Sequence, residues 1–272
     1  MTVIQDAVLG VVQGLTEFLP ISSTAHLRIV PAFLGWEDPG AAFTAVTQLG
    51  TMLAVLLFFR TELRALTLAW FRTITQRRRP RDQDERLAWY IVIGTIPIGV
   101  AGLALNHTIE NGARNLALIG TALIALGLLL LLAERVGTRE RGVESITFRD
   151  AMIIGVAQAA ALVPGVSRSG ATITGGLFIG LDRTAAARFS FLLSVPAVVL
   201  SGLFELGKIS SGEGHHTAAG LALATLLAFV VGYAAIGFLL RFLTSHSTGI
   251  FVFYRVAVGV IVLALLAAGV IS

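Results

Sequence analysis

The chain has no cysteine. That excludes disulfides, thiol nucleophiles and cysteine-ligated metal sites. Lysine is almost missing too: Lys208 stands alone, and arginine supplies the rest of the 20 basic residues. Charge of either sign is sparse, at 13% of 272 residues, where soluble domains carry about 25%. Neither a His-Glu-x-x-His pattern nor a Gly-x4-Gly-Lys-Ser/Thr loop is present, which removes the usual zinc-peptidase and P-loop readings.

What is there in quantity is apolar. The chain is 56% hydrophobic, with 29 glycines and a mean hydropathy of +0.85. Long apolar segments rich in small residues indicate membrane-spanning helices, since barrel strands would show short alternating runs. Glycine at this abundance suits transmembrane helices that pack closely. The first residues, Met-Thr-Val-Ile-Gln-Asp, lack a basic region and the apolar stretch after them carries Glu17, so no cleaved signal peptide is expected.

The chain is organised around Gln13-Gly-Leu-Thr-Glu17-Phe-Leu-Pro20-Ile-Ser22-Ser23-Thr24-Ala-His26. Ionisable residues inside a membrane-depth segment are costly and are functional candidates by default. A second stretch echoes it: Gly155-Val-Ala-Gln158, then Pro164-Gly-Val-Ser167-Arg168-Ser169-Gly-Ala-Thr172. Gly10 and Gly155, Gln13 and Gln158, and Ser22 and Ser167 are each 145 residues apart. In each stretch a short helix meets a proline, turns, and enters a second short helix, which reads as a re-entrant hairpin. Irregular backbone is tolerated at membrane depth only where it is buried in protein or lines a cavity.

Six full spans are predicted at 41–60, 87–106, 115–134, 184–205, 218–241 and 250–271, with Pro97 kinking the second. An interfacial helix is expected from Leu63 to Ile74, carrying Trp70 and Phe71. The arginine-rich loops 61–86 and 135–149 lie on one face with Arg241; the other face has only Arg28, Arg114 and Lys208 near its loops. By the positive-inside rule the arginine-rich loops are cytoplasmic and both termini are outside. They read as solvated loops, and no nucleic-acid partner is expected. Each repeat is then one hairpin plus three spans. Three is odd, so the second repeat (about 147–272) is inverted relative to the first (about 1–134), and the whole is a single membrane domain. The expected fold is all-α and polytopic, with six transmembrane helices and two re-entrant hairpins whose breaks meet near the midplane.

The residues themselves suggest chemistry. Gln13 lies one helical turn from Glu17, and the two offer hard oxygen ligands for a divalent cation, Mg²⁺ or Ca²⁺, with phosphate and water completing the shell. Ser22, Ser23 and Thr24 follow the break; helix capping accounts for at least one of them. His26 can serve as general base, nucleophile or general acid. Ser167-Arg168-Ser169-Gly170 opens a helix whose N-terminus suits an anion, with Arg168 as a phosphate clamp or as an ion pair with Glu17. Arg183 and Arg188 read as snorkelling side chains at a helix end, Gln48 and Gln158 as interhelical hydrogen-bonding residues, and His215 and His216 as solvated loop residues. Arg255 either supports the site or pairs with a carboxylate.

These two stretches resemble the signatures of the bacterial undecaprenyl pyrophosphate phosphatases, the bacitracin-resistance family: Gln13-x3-Glu17 with Ser22-Ser23-Thr24-x-His26, and Pro164-Gly-x-Ser167-Arg168-Ser169-x-x-Thr172. Phe189-Ser-Phe-Leu-Leu-Ser-Val-Pro196 and Gln48-Leu-Gly extend the resemblance over essentially the whole chain. It implies an integral inner-membrane enzyme that removes the terminal phosphate of undecaprenyl diphosphate, recycling the lipid carrier for cell-wall synthesis. It also implies a divalent-cation requirement and a site opening to the periplasm. Carried over, Glu17, His26 and Arg168 are catalytic and Ser23 is a candidate nucleophile beside His26. Ser167, Ser169 and Thr172 hold the diphosphate, with Ser22 and Thr24 as further binding groups. Gln13 stands where many members have Glu, and Ala25 where Gly is common. The partners expected are the polyprenyl diphosphate and the bilayer, with room for a homodimer. The competing function is an inverted-repeat transporter or flippase for the lipid carrier or a small anion, for which the Ser–His–Glu group has no obvious use.

Overall fold

The computed structural model describes residues 1–104, 115–206 and 216–271. The loop 106–114, with Arg114, and the residues Lys208 and His215 lie outside the described residues. Eleven α-helices are present among the described residues, and no strand. They are α1 (Val3–Phe18), α2 (Ser23–Leu34), α3 (Gly40–Phe58), α4 (Arg60–Thr75), α5 (Gln83–Ala104), α6 (Leu116–Val136), α7 (Phe148–Ala159), α8 (Arg168–Phe178), α9 (Arg183–Leu206), α10 (Ala218–Leu243) and α11 (Gly249–Ala267). Six of them, α3, α5, α6, α9, α10 and α11, are long and apolar enough to cross a membrane. Large apolar side chains on these helices face outward, Phe253 being 76% exposed, as expected where lipid is the solvent. The span boundaries differ from the sequence reading by a few residues at most. Helix α5 runs through Pro97 without a break.

The short helices stop for a local reason. The residue before a proline is pushed out of the α region. Leu19, before Pro20, is extended (φ −65°, ψ 142°) and ends α1. Val163, before Pro164, is extended in the same way and ends a 3₁₀ turn that follows α7. The chain restarts a helix three residues after Pro20, at Ser23, and four residues after Pro164, at Arg168. Ser22 caps α2, accepting from the Ala25 amide, and Ser167 caps α8, accepting from Gly170. Both serines take a positive φ, 77° and 72°, a conformation costly outside glycine. The starts of α1 and α7 match as well. Thr2 and Thr147 each form a capping box, with Gln5 and Asp150. Every one of these capping pairs is 145 residues apart.

Packing follows the same rhythm. Helix α1 lies against α10, and α7 lies against α5. The close approach is made at Gly10 and Gly155: an added Cβ would collide with the Ala224 backbone in the first case and with Gly94 in the second. Helix α6 packs on α11, and α3 on α9. At Gly165 the turn before α8 takes φ +90° and presses on the Ile119 carbonyl and the Ala122 side chain of α6. Only glycine meets both requirements. The two helix–break–helix units are thereby brought together between the spans.

Candidate functional site

The C-terminal turn of α1 delivers Glu17 to the junction of the two units. Its carboxylate is nearly buried, with 8% of the side chain exposed, so its lone pairs need partners. Ser23 Oγ, at the first residue of α2, donates to Glu17 Oε2 at 2.5 Å. Gln13 Nε2, one turn back on α1, donates to the same oxygen at 3.2 Å. The other oxygen, Oε1, accepts from the Arg168 guanidinium at the start of α8 and from Gln48 Nε2 of α3 at 3.4 Å. The ion pair between Glu17 and Arg168 joins residues 151 apart in sequence. Glu17 and Arg168 meet in a small cleft whose other walls include Thr51, Met52, Val55, Ser194, Val195 and Val198. One end of the cleft is therefore charged and the rest mostly apolar.

The second unit is fastened to the first through Ser169. Its hydroxyl lies 3.1 Å from Ser167 Oγ and reaches the Leu19 and Glu17 carbonyls at 3.1 and 3.4 Å. Ser167 Oγ is engaged in the α8 cap. Thr172 is fully buried, donates to the Arg168 carbonyl at 2.7 Å and bonds Ser190 of α9 at 2.6 Å. Thr24 is exposed on the first turn of α2 and makes no hydrogen bond to Glu17 or Arg168 among the described residues.

His26 is close in sequence but is turned elsewhere. Its Nδ1 lies 2.7 Å from the Ser22 carbonyl and its Nε2 lies 2.7 Å from the Tyr254 hydroxyl of α11. No hydrogen bond joins His26 to Ser23 or Glu17 among the described residues.

Arg255 settles one of the alternatives left open above. Its side chain is fully buried, and it donates to five backbone carbonyls and to no carboxylate. Pro20 O (3.0 Å) belongs to the first break; Gly165 O (2.9 Å) and Val166 O (3.1 Å) belong to the second; Leu123 and Ala122 belong to α6. A buried cation is tolerable only when fully hydrogen-bonded, and oriented carbonyl dipoles meet that need. One guanidinium therefore pins both turns.

Several expectations change. Arg183 does not snorkel: it bonds the Glu134 carboxylate, which Thr248 also holds at 2.7 Å. Arg188 pairs with Glu62 at 2.9 Å. His216 is not solvated; its Nδ1 meets Asp6 at 2.7 Å, its Nε2 meets the Pro39 carbonyl at 3.0 Å, and its ring stacks on Phe43. Gln158 is fully buried, yet neither atom of its amide has a partner. Gln48, expected to bond between helices, does so from α3 to Glu17 on α1, and Tyr254 is the residue that sequence reasoning passed over. The Gln48-Leu-Gly motif was one signal for the first; nothing local pointed to the second.

For a metal, the donor set is small. Among the described residues, no three His, Cys, Asp or Glu side chains come together. Gln13 Oε1 is a buried acceptor without a partner, beside Glu17. Two hard oxygens and a serine hydroxyl fit part of the shell of a divalent cation, the remainder falling to phosphate and water.

Comparison with known proteins gives a consistent picture. A family model described as bacitracin resistance protein BacA matches residues 6–261. The chain is similar to proteins named undecaprenyl-diphosphatase. One from Myxococcus xanthus (strain DK1622) is 51% identical over 100% of this chain and 92% of the relative. One from Nocardioides sp. (strain ATCC BAA-499 / JS614) is 51% identical over 99% and 98%. One from Mycobacterium sp. (strain KMS) is 54% identical over 100% and 99%.

Proposed function

The chain belongs to the bacitracin resistance protein family, and from that premise we propose how its site works. The protein is a multi-pass membrane phosphatase that hydrolyses undecaprenyl diphosphate to undecaprenyl phosphate and inorganic phosphate. The observation that carries the mechanism is the 2.5 Å bond from Ser23 Oγ to Glu17 Oε2. A hydroxyl that already donates to a nearly buried carboxylate is a nucleophile beside its general base. Ser23 Oγ attacks the terminal phosphorus while its proton passes to Glu17; the bond from that phosphorus to the bridging oxygen breaks, and undecaprenyl phosphate leaves. Water then attacks the phosphoserine and returns Ser23 with inorganic phosphate. Arg168, whose partner before substrate arrives is Glu17, exchanges to the phosphate oxygens and offsets the charge that develops there. Ser167 and Ser169 present the α8 N-terminus to the same oxygens. Thr172 acts by holding Arg168's own turn to α9. His26, on the neighbouring face of α2, serves as the acid or base for the leaving oxygen or the incoming water.

Gln13 and Glu17 would hold a divalent cation, Mg²⁺ or Ca²⁺, which supplies neutralisation of the diphosphate charge when bound. The apolar wall formed by Met52, Val55, Val195 and Val198 suits the first isoprene units of the substrate. The recurrence at 145 residues, the paired serine caps and the matched packing of α1 on α10 and α7 on α5 support an inverted repeat with two re-entrant hairpins. The distribution of arginine supports a cytoplasmic place for the segments 61–86 and 135–149, and the family resemblance implies a site opening to the periplasm. A flippase would need the fold but not a serine bonded to a carboxylate, so the site favours the enzyme.

The test is phosphate release from undecaprenyl diphosphate by detergent-purified protein. Ser23→Ala and Glu17→Gln should each lose at least about 10³-fold in kcat, and Arg168→Ala about 10²- to 10³-fold. Ser23→Ala with wild-type turnover would remove the proposed nucleophile.

A further inference from the structure

Tyr254 stands on α11, 228 residues from His26. The Ser22 carbonyl can only accept a hydrogen bond, so the His26 Nδ1 facing it at 2.7 Å carries a proton. In the neutral ring Nε2 is then the acceptor, and the Tyr254 hydroxyl, 2.7 Å away, is its donor. The two rings are nearly parallel, 12° apart with centroids at 5.5 Å. The imidazole is therefore fixed at both nitrogens and along its face. Tyr254 is followed by Arg255, whose guanidinium holds both turns of the site, so α11 sets the phenol and the turns in one register.

We propose that Tyr254 is a positioning residue for the phosphatase reaction. Its phenol keeps His26 in the tautomer whose basic nitrogen is Nε2, and it holds that nitrogen in the orientation from which it takes or gives a proton. This rests on His26 acting as an acid or base in the site described above. The hydroxyl stands at hydrogen-bonding distance from Nε2, where a water or phosphate oxygen must come for that proton to move. Tyr254 is 39% exposed, so its ring can leave this place without opening the protein core. Nothing in the first hairpin can do the same: Ser23 is committed to Glu17 and Ser22 to the α2 cap.

The experiment uses the full chain in detergent with histidine labelled with nitrogen-15, the His26 signals being identified by their loss in His26→Gln. The wild type should show Nδ1–H and an Nε2 shifted by an accepted hydrogen bond, and Tyr254→Phe should move Nε2 to the position of a free pyridine-type nitrogen. In turnover of undecaprenyl diphosphate, Tyr254→Phe should lower kcat about tenfold, the equivalent of one net hydrogen bond, with KM changed less than about twofold. The double variant with His26→Gln should be no slower than His26→Gln alone. A wild-type Nε2–H tautomer, an Nε2 signal unmoved in Tyr254→Phe, or multiplicative losses in the double variant would each overturn the proposal. The spectra need no turnover. Unmoved spectra with an impaired His26→Gln therefore overturn the role of Tyr254 alone, while full activity in His26→Gln overturns the role of His26 with it.

Discussion

Glu17 shows what one residue can and cannot reveal in a sequence. Its place in an apolar helix marked it, and the neighbouring hydroxyls and the arginine of the second motif named its partners. Ser23 and Arg168 were legible for that reason. Gln48 and Tyr254 were less so, because they reach the site from 31 and 228 residues away on ordinary-looking spans. His216 was misread because a histidine in a polar loop gives no sign of the buried Asp6 below it. Arg255 was noticed, but its five carbonyl partners have no sequence signature. We expect Arg255→Met to fold with a stability loss of about 3 kcal/mol, roughly 1 kcal/mol for each turn carbonyl left unpaired. Arg255→Lys should fall between; a melting temperature unchanged in Arg255→Met would contradict the pinning role. Asp150 offers a pH test. Burial pushes its carboxyl up, but the hydrogen bonds from Arg141 and from Thr147 outweigh that and hold it below the ordinary carboxylate value. Its folded value lies below its unfolded one, so the stability it adds is complete above the unfolded value. It is lost as pH falls through the folded one. Thermal melts from neutral to acidic pH should therefore decline less steeply in Asp150→Asn than in the wild type, and equal slopes would remove the ion pair's contribution.

At the level of elements, the breaks were the most legible feature. Pro20 and Pro164 end their helices through the residue before them, a steric rule that needs no tertiary contact. Helix boundaries in the spans were read to within a few residues because length and hydropathy fix them. The course of α5 past Pro97 was read as a single span and is one helix, since proline in a membrane helix can be accommodated by its neighbours. The capping boxes at Thr2 and Thr147 stabilise the entry to each short helix. Thr147→Ala should cost about 1 kcal/mol, read as a lower melting temperature with turnover at permissive temperature retained. Gly155→Val should do far more, because its Cβ would overlap the Gly94 backbone and force α7 off α5. We expect that variant to lose both monodispersity and activity. A stable, active Gly155→Val protein would show that the crossing of α5 and α7 does not set the position of Arg168.

At the scale of the whole molecule, the two helix–break–helix segments meet at the Glu17–Arg168 pair, at Ser169 and at Arg255. The molecule's class and its inverted arrangement were inferred from composition and from counting spans, while the mutual packing of α1 with α10 and α7 with α5 became visible only in three dimensions. The arrangement predicts sidedness. The absence of cysteine makes the wild type a ready background for single-cysteine labelling in intact cells. Cysteine at Arg79, Glu140 or Ser245 should react only after the membrane is permeabilised, and cysteine at Glu37 should react from outside. The reverse pattern, or mixed labelling within the first group, would break the topology.

The identity of the phosphoryl acceptor decides the mechanism. Undecaprenyl diphosphate carrying a radiolabel in its terminal phosphate, mixed with the purified protein and quenched within one turnover, should leave the label in an acid-stable linkage. Peptide mapping should place it on Ser23, with none in Ser23→Ala. A label that is acid-labile and maps to His26, or a full turnover without any labelled protein, would contradict the reading of Ser23 as a nucleophile activated by Glu17.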